Sequence, residues 1–330
     1  MEQQGLVKGR VSAGAHEEYR VLLDDGSETA GYPAGSLRAC HELPVVGDWV
    51  WVRPVGGLCI IGTVEPRRTA FVRRAAGRAY APQCVAANVD VCFVVCGLDG
   101  DFNLRRIERY LAPAWESGAH PVVALNKADV CAGVEAAIDA VRDVAGRADV
   151  LAISALRSVD PPRLWLKPGL TAALLGSSGA GKSTIANEPA GCSAATQEVR
   201  ECDSRGRHTT TALMLMALPG GAWLIDTPGM RELALLANDA SLDAAFPEIA
   251  GLAGQCRFAD CRHEQEPGCE VRQGLEDGRI TRERWASYAK LRREARHHAL
   301  ESDANAQRAE KRLWKAIHKA SRRMYRERDR

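Results

Sequence analysis

Gly176-Ser177-Ser178-Gly179-Ala180-Gly181-Lys182-Ser183 has the spacing of a phosphate-binding loop, Gly-x-x-x-x-Gly-Lys-Ser. Such a loop holds a polyphosphate. Its glycines let the backbone wrap closely round the anion, and its amides and the start of the following helix face the negative charge. The Lys182 ammonium reaches the outer phosphates. The Ser183 hydroxyl is a ligand for Mg²⁺, and Thr184 continues the same turn. Downstream, Asp226-Thr227-Pro228-Gly229 puts a carboxylate at the end of an apolar run and a glycine three residues on. That suits a segment sensing a terminal phosphate: Asp226 holds Mg²⁺ through a water, and the Gly229 amide faces the phosphate. Alone, each pattern also reads as a plain turn. In sequence, strand, loop and carboxylate read as a nucleotide site.

A second group of residues selects the base. Asn126-Lys127-Ala128-Asp129 follows the apolar run Pro121–Leu125. A carboxylate at Asp129 accepts hydrogen bonds from guanine N1–H and the 2-amino group. Adenine offers no such pair, so GTP is expected over ATP. Asn126 can support the other edge of the base and the neighbouring loops, and the aliphatic stem of Lys127 can lie against the base. Ser154-Ala155-Leu156 follows another apolar run, and its backbone amide is placed to meet guanine O6. The plainer reading of the first tetrapeptide is a helix cap after a strand. The order is unusual, because the base-reading segments precede the phosphate loop. A circular permutation explains this, since termini close in space can be relocated within a compact domain. It also sets the Asp226 segment directly against the C-terminal part of the chain.

That C-terminal part opens with a metal-ligand pattern. Cys256, Cys261, His263 and Cys269 place three thiolates and one imidazole within fourteen residues. This set suits tetrahedral Zn²⁺, and four protein ligands leave no open position, so the ion is read as structural. The spacing is not that of a standard finger, and buried cysteines with a surface histidine are the alternative. Of the eleven cysteines, Cys84, Cys92, Cys96 and Cys131 sit in or beside apolar segments as small hydrophobes, which argues against a disulfide framework.

The elements that must carry these residues fall into stretches of different character. Residues 1–78 hold short β-branched runs (Tyr19–Leu23, Trp49–Val52, Cys59–Val64) between turn signals, which predicts a small all-β barrel, with an OB-type barrel as one option. In residues 79–245, strand-like runs at Val89–Val95, Pro121–Leu125, Val150–Ile153, Thr171–Leu175 and Ala222–Ile225 alternate with helical segments. One helix is capped by Asn103. This predicts an α/β domain with a parallel, doubly wound sheet. Glu188-Pro189 predicts an early end to the helix after the phosphate loop. Residues 246–300 form the small metal-binding module and residues 301–330 a basic helical tail, and Leu291–Tyr325 reads as an exposed helix that overlaps both. From Arg279 to Arg330 there are 17 Lys and Arg against 7 Asp and Glu. The surplus is ten, so the rest of a chain with net charge +2 carries eight negative charges. A basic end on an acidic body is the footprint of a polyanion binder, or else a solvated helix. The chain has neither an apolar run of membrane-spanning length nor a signal-peptide pattern at its start, so a cytoplasmic protein is expected.

Taken together, the permuted motif order, the small barrel before it and the Cys-Cys-His-Cys cluster after it resemble the bacterial ribosome small subunit-dependent GTPase family. Further matching stretches are Leu43–Val52, Asp99-Gly100-Asp101-Phe102-Asn103, Gly206–Thr211 and Asp260–Cys269, and the resemblance spans about residue 6 to about residue 298. It implies a GTPase that assists late maturation of the small ribosomal subunit and is stimulated by it, with barrel and zinc module on ribosomal RNA. A basic tail suits that partner. The resemblance also assigns Gly206–Thr211 to a switch, with Thr210 or its neighbour Thr209 as second hydroxyl ligand to Mg²⁺. Met230 stands where many GTPases carry a water-orienting glutamine. His208 is the candidate to position the water, its alternative being an RNA contact or loop cap. Nothing in the sequence demands a dimer, and a monomer is expected. A nucleotide-regulated RNA-binding module with incidental turnover is the competing reading.

Overall fold

The computed structural model describes residues 5–15, 17–40, 42–74, 82–157, 164–187, 213–226 and 239–302. The chain begins with β1 (Val7–Ala15), β2 (Glu18–Leu23), β3 (Glu28–Pro33), the short helix α1 (Gly35–Ala39), β4 (Trp49–Val55) and β5 (Leu58–Val64). Their order is β1-β2-β3-β5-β4, and β4 returns to pair with β1, which closes a five-stranded OB-type barrel. Alternation drives the closure: Tyr19 and Val21, Val50 and Val52, and Cys59 and Ile61 turn inward with Val11, and Leu37 of α1 joins them. A hairpin follows, β6 (Ala70–Arg74) with β7 (Pro82–Ala87).

The next section alternates strand and helix. Its elements are β8 (Val91–Gly97), α2 (Leu104–Glu116), β9 (His120–Asn126), α3 (Val134–Ala145), β10 (Asp149–Ala152), β11 (Thr171–Gly176), α4 (Lys182–Asn187), β12 (Met214–Ala217) and β13 (Trp223–Asp226). The strands pair in the order β10-β9-β8-β11-β13 and run parallel, as expected. The edge differs: β12 lies antiparallel to β13, so the sheet is mixed. β8 is buried along its whole length, as a strand covered on both faces must be. Val91, Phe93 and Val95 pack with Ile185 and Ala186 of α4. On the opposite face, Val94 and Cys96 pack with Ile107 and Leu111 of α2. Asn103 caps α2 as expected, its side chain accepting from the Arg106 amide at 3.1 Å.

Barrel and sheet are joined. β1 is bulged between Val11 and Ala13, and beyond the bulge Ala13 pairs with Met214 of β12. Arg10 fills the junction, buried between the faces of Trp49 and Trp223 and donating to Thr171 Oγ1 at 2.6 Å. Burial lowers its pKa to about 10, so the guanidinium still carries its charge at neutral pH.

The C-terminal part is helical: α5 (Asp239–Ala245), α6 (Pro247–Ala253), α7 (Glu270–Glu276) and α8 (Arg282–Ser302). The last helix starts nine residues before the expected Leu291, because Trp285 and Tyr288 on its first turns enter a core with Phe246, Ile249 and Val271. At the seam with the α/β section stands Arg284, 8% exposed. It pairs with buried Glu108 of α2 and with Glu248 of α6 at 2.6 Å. It also donates to the carbonyls of Val144 at 3.2 Å and Ala245 at 2.8 Å, near the ends of α3 and α5, and lies 4.1 Å from the Phe246 ring centroid. Arg284→Ala leaves the Glu108 charge buried and unpaired. The expected cost is about 3–5 kcal/mol. Urea unfolding measures it, and a midpoint equal to that of the parent chain contradicts this view of the seam. Among the described residues, no helix is long and apolar enough to cross a membrane.

Candidate functional site

The phosphate loop leaves the C-terminal end of β11, at the centre of the sheet, and runs into α4. Two of its glycines are required by geometry. Gly176 has φ +141°, and a Cβ there would lie 2.2 Å from the Val95 carbonyl oxygen. Gly181 has φ +94°, and a Cβ there would lie 2.1 Å from Asn126 Nδ2. Lys182 folds its ammonium back onto the loop, donating to the carbonyls of Gly176 at 2.8 Å and Ser177 at 2.5 Å. These are bonds that an arriving phosphate can replace.

The segments expected to read the base leave the neighbouring strand ends. β9 ends at Asn126, and Lys127 then takes a left-handed turn, φ 64°, which leads into a short 3₁₀ turn, Ala128–Val130. This turn presents Asp129, whose carboxylate accepts the Ser154 hydroxyl at 2.6 Å. That bond holds the carboxyl below the usual carboxylate range, so Asp129 is ionised and acceptor-only at neutral pH. Asn126 is buried and reaches both ways. Its amide donates to the Ala180 carbonyl of the phosphate loop at 2.9 Å, and its oxygen accepts the Ala155 amide at 2.9 Å. The Ala155 amide of the Ser154–Leu156 segment is thus held by Asn126. Leu156, next in the turn, is 84% exposed.

These segments meet in one cavity of about 400 Å³. It is lined by Asn126, Lys127 and Asp129 from one loop, Ser154 to Leu156 from the second, and Gly179 and Gly181 to Thr184 from the third. Asp226 is the last residue of β13, beside β11. Gly229, Met230, His208, Thr209 and Thr210 lie outside the described residues, as do Glu188-Pro189 and the tail beyond Ser302.

Two residues that hold these loops from behind the cavity lining escape a reading of motifs alone. Asp99, in the loop after β8, accepts the Lys127 ammonium at 2.5 Å and the Asp101 amide at 3.1 Å. The lysine, and then that amide, hold its carboxyl below the usual range. Asp101 accepts the Ser177 hydroxyl and pairs with Arg106 of α2. The one signal in the sequence is the Asp99–Asn103 stretch itself, which carries a resemblance without a chemistry.

Cys256, Cys261, His263 and Cys269 converge, their ligand atoms all within 4.8 Å of one another. His263 Nδ1 lies 3.6 Å from Cys256 Sγ and 3.4 Å from Cys269 Sγ, and those two sulfurs are 3.9 Å apart. Four such donors can hold a metal ion. The knot is organised by Glu266, whose carboxylate accepts the amides of Arg262, Glu264 and Gln265 at 2.9–3.1 Å. Its own amide first, and then those three, bring its pKa down to about 2.

The geometry agrees with comparisons to known proteins. The RsgA GTPase family model matches residues 64–236. A small ribosomal subunit biogenesis GTPase RsgA from Opitutus terrae is 48% identical over 327 residues, covering 93% of this chain and 89% of the relative. The chain belongs to the RsgA GTPase family. Another RsgA relative, from Syntrophotalea carbinolica, is 43% identical and covers 98% of this chain and 93% of its own length. Among solved structures, YjeQ from Thermotoga maritima superposes with a TM-score of 0.66 at 25% identity, covering 88% of this chain and 98% of that one. YloQ, described as a circularly permuted GTPase, superposes at 0.61 and 21% identity over 90% of this chain and 98% of its own. At that identity the likeness concerns the fold. The RsgA fold thus accounts for the Asn126–Asp129 and Ser154–Leu156 loops preceding the phosphate loop in the chain.

Proposed function

We propose that this RsgA-family chain hydrolyses GTP to GDP and phosphate as a late maturation factor of the small ribosomal subunit, with turnover stimulated by the subunit. The observation that carries the reading is the single cavity in which an ionised Asp129 and the phosphate loop face the same space. Asp129 reads guanine, and the Lys127 stem lies against the base. Asn126, buried between loops, positions rather than touches. The backbone of Ser154-Ala155-Leu156 supplies the amide that meets O6. The backbone from Gly176 to Ser183, with Lys182 and Thr184, holds the phosphates. Ser183 lines the cavity beside Lys182 and fits Mg²⁺, with Asp226 and Thr210 completing the set; the ion neutralises the phosphate charge.

Zn²⁺ is the metal assigned to Cys256, Cys261, His263 and Cys269. Zn–S bonds of about 2.3 Å and Zn–N bonds of about 2.0–2.1 Å give tetrahedral edges of roughly 3.5–3.8 Å. The separations of 3.4, 3.6 and 3.9 Å among Cys256, His263 and Cys269 lie close to those edges, and Cys261 completes the set within 4.8 Å. Residues 1–78, 79–245, 246–300 and 301–330 serve as barrel, GTPase domain, zinc module and basic tail. Barrel, module and tail face ribosomal RNA in a monomeric, cytoplasmic protein. The exposed Trp51 and the basic residues of α8 support that assignment by stacking and phosphate attraction.

His208 is assigned to position the attacking water, since Met230 cannot. His208→Ala is expected to keep GTP binding and to lose most of the subunit-stimulated turnover, by roughly a hundredfold. A stimulated kcat equal to that of the parent chain removes the assignment. Met230 also motivates the second reading, an RNA-binding module whose nucleotide sets affinity while turnover is incidental. Turnover that stays unstimulated while RNA affinity changes with nucleotide favours it.

A further inference from the structure

The loop between β8 and α2 ties the Lys127 loop to the phosphate loop through the Asp99 and Asp101 carboxylates and the Asp101 amide. Asp99 is a branch point: one carboxylate oxygen takes the Lys127 ammonium and the other takes the Asp101 amide. The Asp99 carbonyl accepts the Phe102 amide at 3.2 Å, and Cys96 Sγ lies 3.6 Å from the Asp101 carbonyl, so the loop is closed on itself. Asp101 then reaches the Ser177 hydroxyl of the phosphate loop, with Arg106 from the first turn of α2 on its other oxygen. A continuous chain of charged hydrogen bonds therefore runs Lys127, Asp99, Asp101, Ser177. It starts at the wall of the base subsite and ends on the phosphate loop.

The Lys182 ammonium presently holds the Ser177 carbonyl. A ligand's phosphates draw that ammonium away, and the hold on Ser177 then falls to Asp101. An anion beside a phosphate site repels the ligand. Asp101 is partly protected from this by its partners: the Arg106 guanidinium offsets its charge, and the Ser177 hydroxyl takes up one oxygen.

We propose that Asp101 is a positioning residue for nucleotide binding and hydrolysis. It acts through the Ser177 hydroxyl to hold the phosphate loop in its binding form, and Asp99 extends the same control to Lys127. This inference rests on the reading of the cavity as a GTP site. Asp101 touches loop and helix, so its effect on the ligand passes through Ser177.

A double-mutant cycle on the full-length chain tests it, with GDP and a non-hydrolysable GTP analogue as probes and kcat and KM for GTP as the second readout. Asp101→Ala and Ser177→Ala are each expected to weaken binding of both probes by roughly tenfold, the scale of one charge-assisted hydrogen bond. The double variant should be no weaker than either single one. Asp101→Asn keeps an acceptor oxygen and should restore most of the affinity, which a loss of folding would not allow. Thermal unfolding of each variant gives the independent check on the fold. If the two losses multiply to about a hundredfold in the double variant, Asp101 does not act through Ser177 and the proposal fails, while the GTP reading survives. If the parent chain shows no preference for guanine nucleotides, that reading fails and takes this one with it.

Discussion

Asp129→Asn is expected to lower the preference for GTP over ATP by roughly 10⁴-fold, the range over which a site built around substrate hydrogen bonds rejects a base that lacks them. The native carboxylate is acceptor-only and held ionised by the Ser154 hydroxyl. Guanine brings two donors, N1–H and the 2-amino group, and both find acceptors. An asparagine turns one of those acceptors into a donor that faces the 2-amino group, so a favourable pair becomes a clash of donors. The same change creates a match for a base with a carbonyl at position 2, and xanthosine triphosphate should gain what GTP loses. Competition binding with GTP, ATP and xanthosine triphosphate measures both arms. Asp129 is exposed, so the substitution leaves the core untouched and the loss is read as chemistry. Unchanged GTP selectivity in this variant contradicts the assignment of the base subsite.

The second large effect concerns the metal. Removal of the ion by a chelator, or Cys261→Ala, is expected to melt the region from Pro247 to the start of α8, while GDP remains bound. The helices here are short: α6 and α7 have 7 residues each. Helices of that length do not hold themselves, and their packing core includes the ligands Cys261 and Cys269. Structural zinc contributes on the order of 10–16 kcal/mol in small zinc-dependent folds, more than a core of this size supplies. Hydrogen exchange over residues 247–290, with metal analysis of the protein, gives the result. The expected pattern is one zinc per chain and loss of protection in that region on chelation. Full protection in the metal-free protein contradicts a structural ion.

The fold is legible in the sequence where local pattern and tertiary demand agree. The apolar runs of β8, β9 and β11 announce buried parallel strands, and Asn103 announces the start of α2. β1 and β3 escape such a reading. Their sequences, VKGRVSAGA and ETAGYP, are rich in small residues and look like loop. They are strands because closure of the barrel gives them partners on both sides. The start of α8 is masked because its first turns look polar, although Trp285 and Tyr288 among them are anchors for the metal module.

The candidate site is legible in the same uneven way. Motif residues are recognisable because a phosphate or a guanine dictates their types and spacing. Asp101 is not, because its chemistry is defined by a hydroxyl 76 residues away. Arg284 is hidden for the same reason. It reads as one more charge on a basic helix, yet its Glu108 partner lies 176 residues away.

The most direct test of the central claim is hydrolysis of GTP and of ATP by the purified chain, alone and with small ribosomal subunits. A GTP-selective rise in turnover on adding subunits is the predicted result, and it joins the base subsite, the phosphate loop and the ribosomal partner in one observation. Turnover that the subunits leave unchanged, or that ATP supports equally well, contradicts the account.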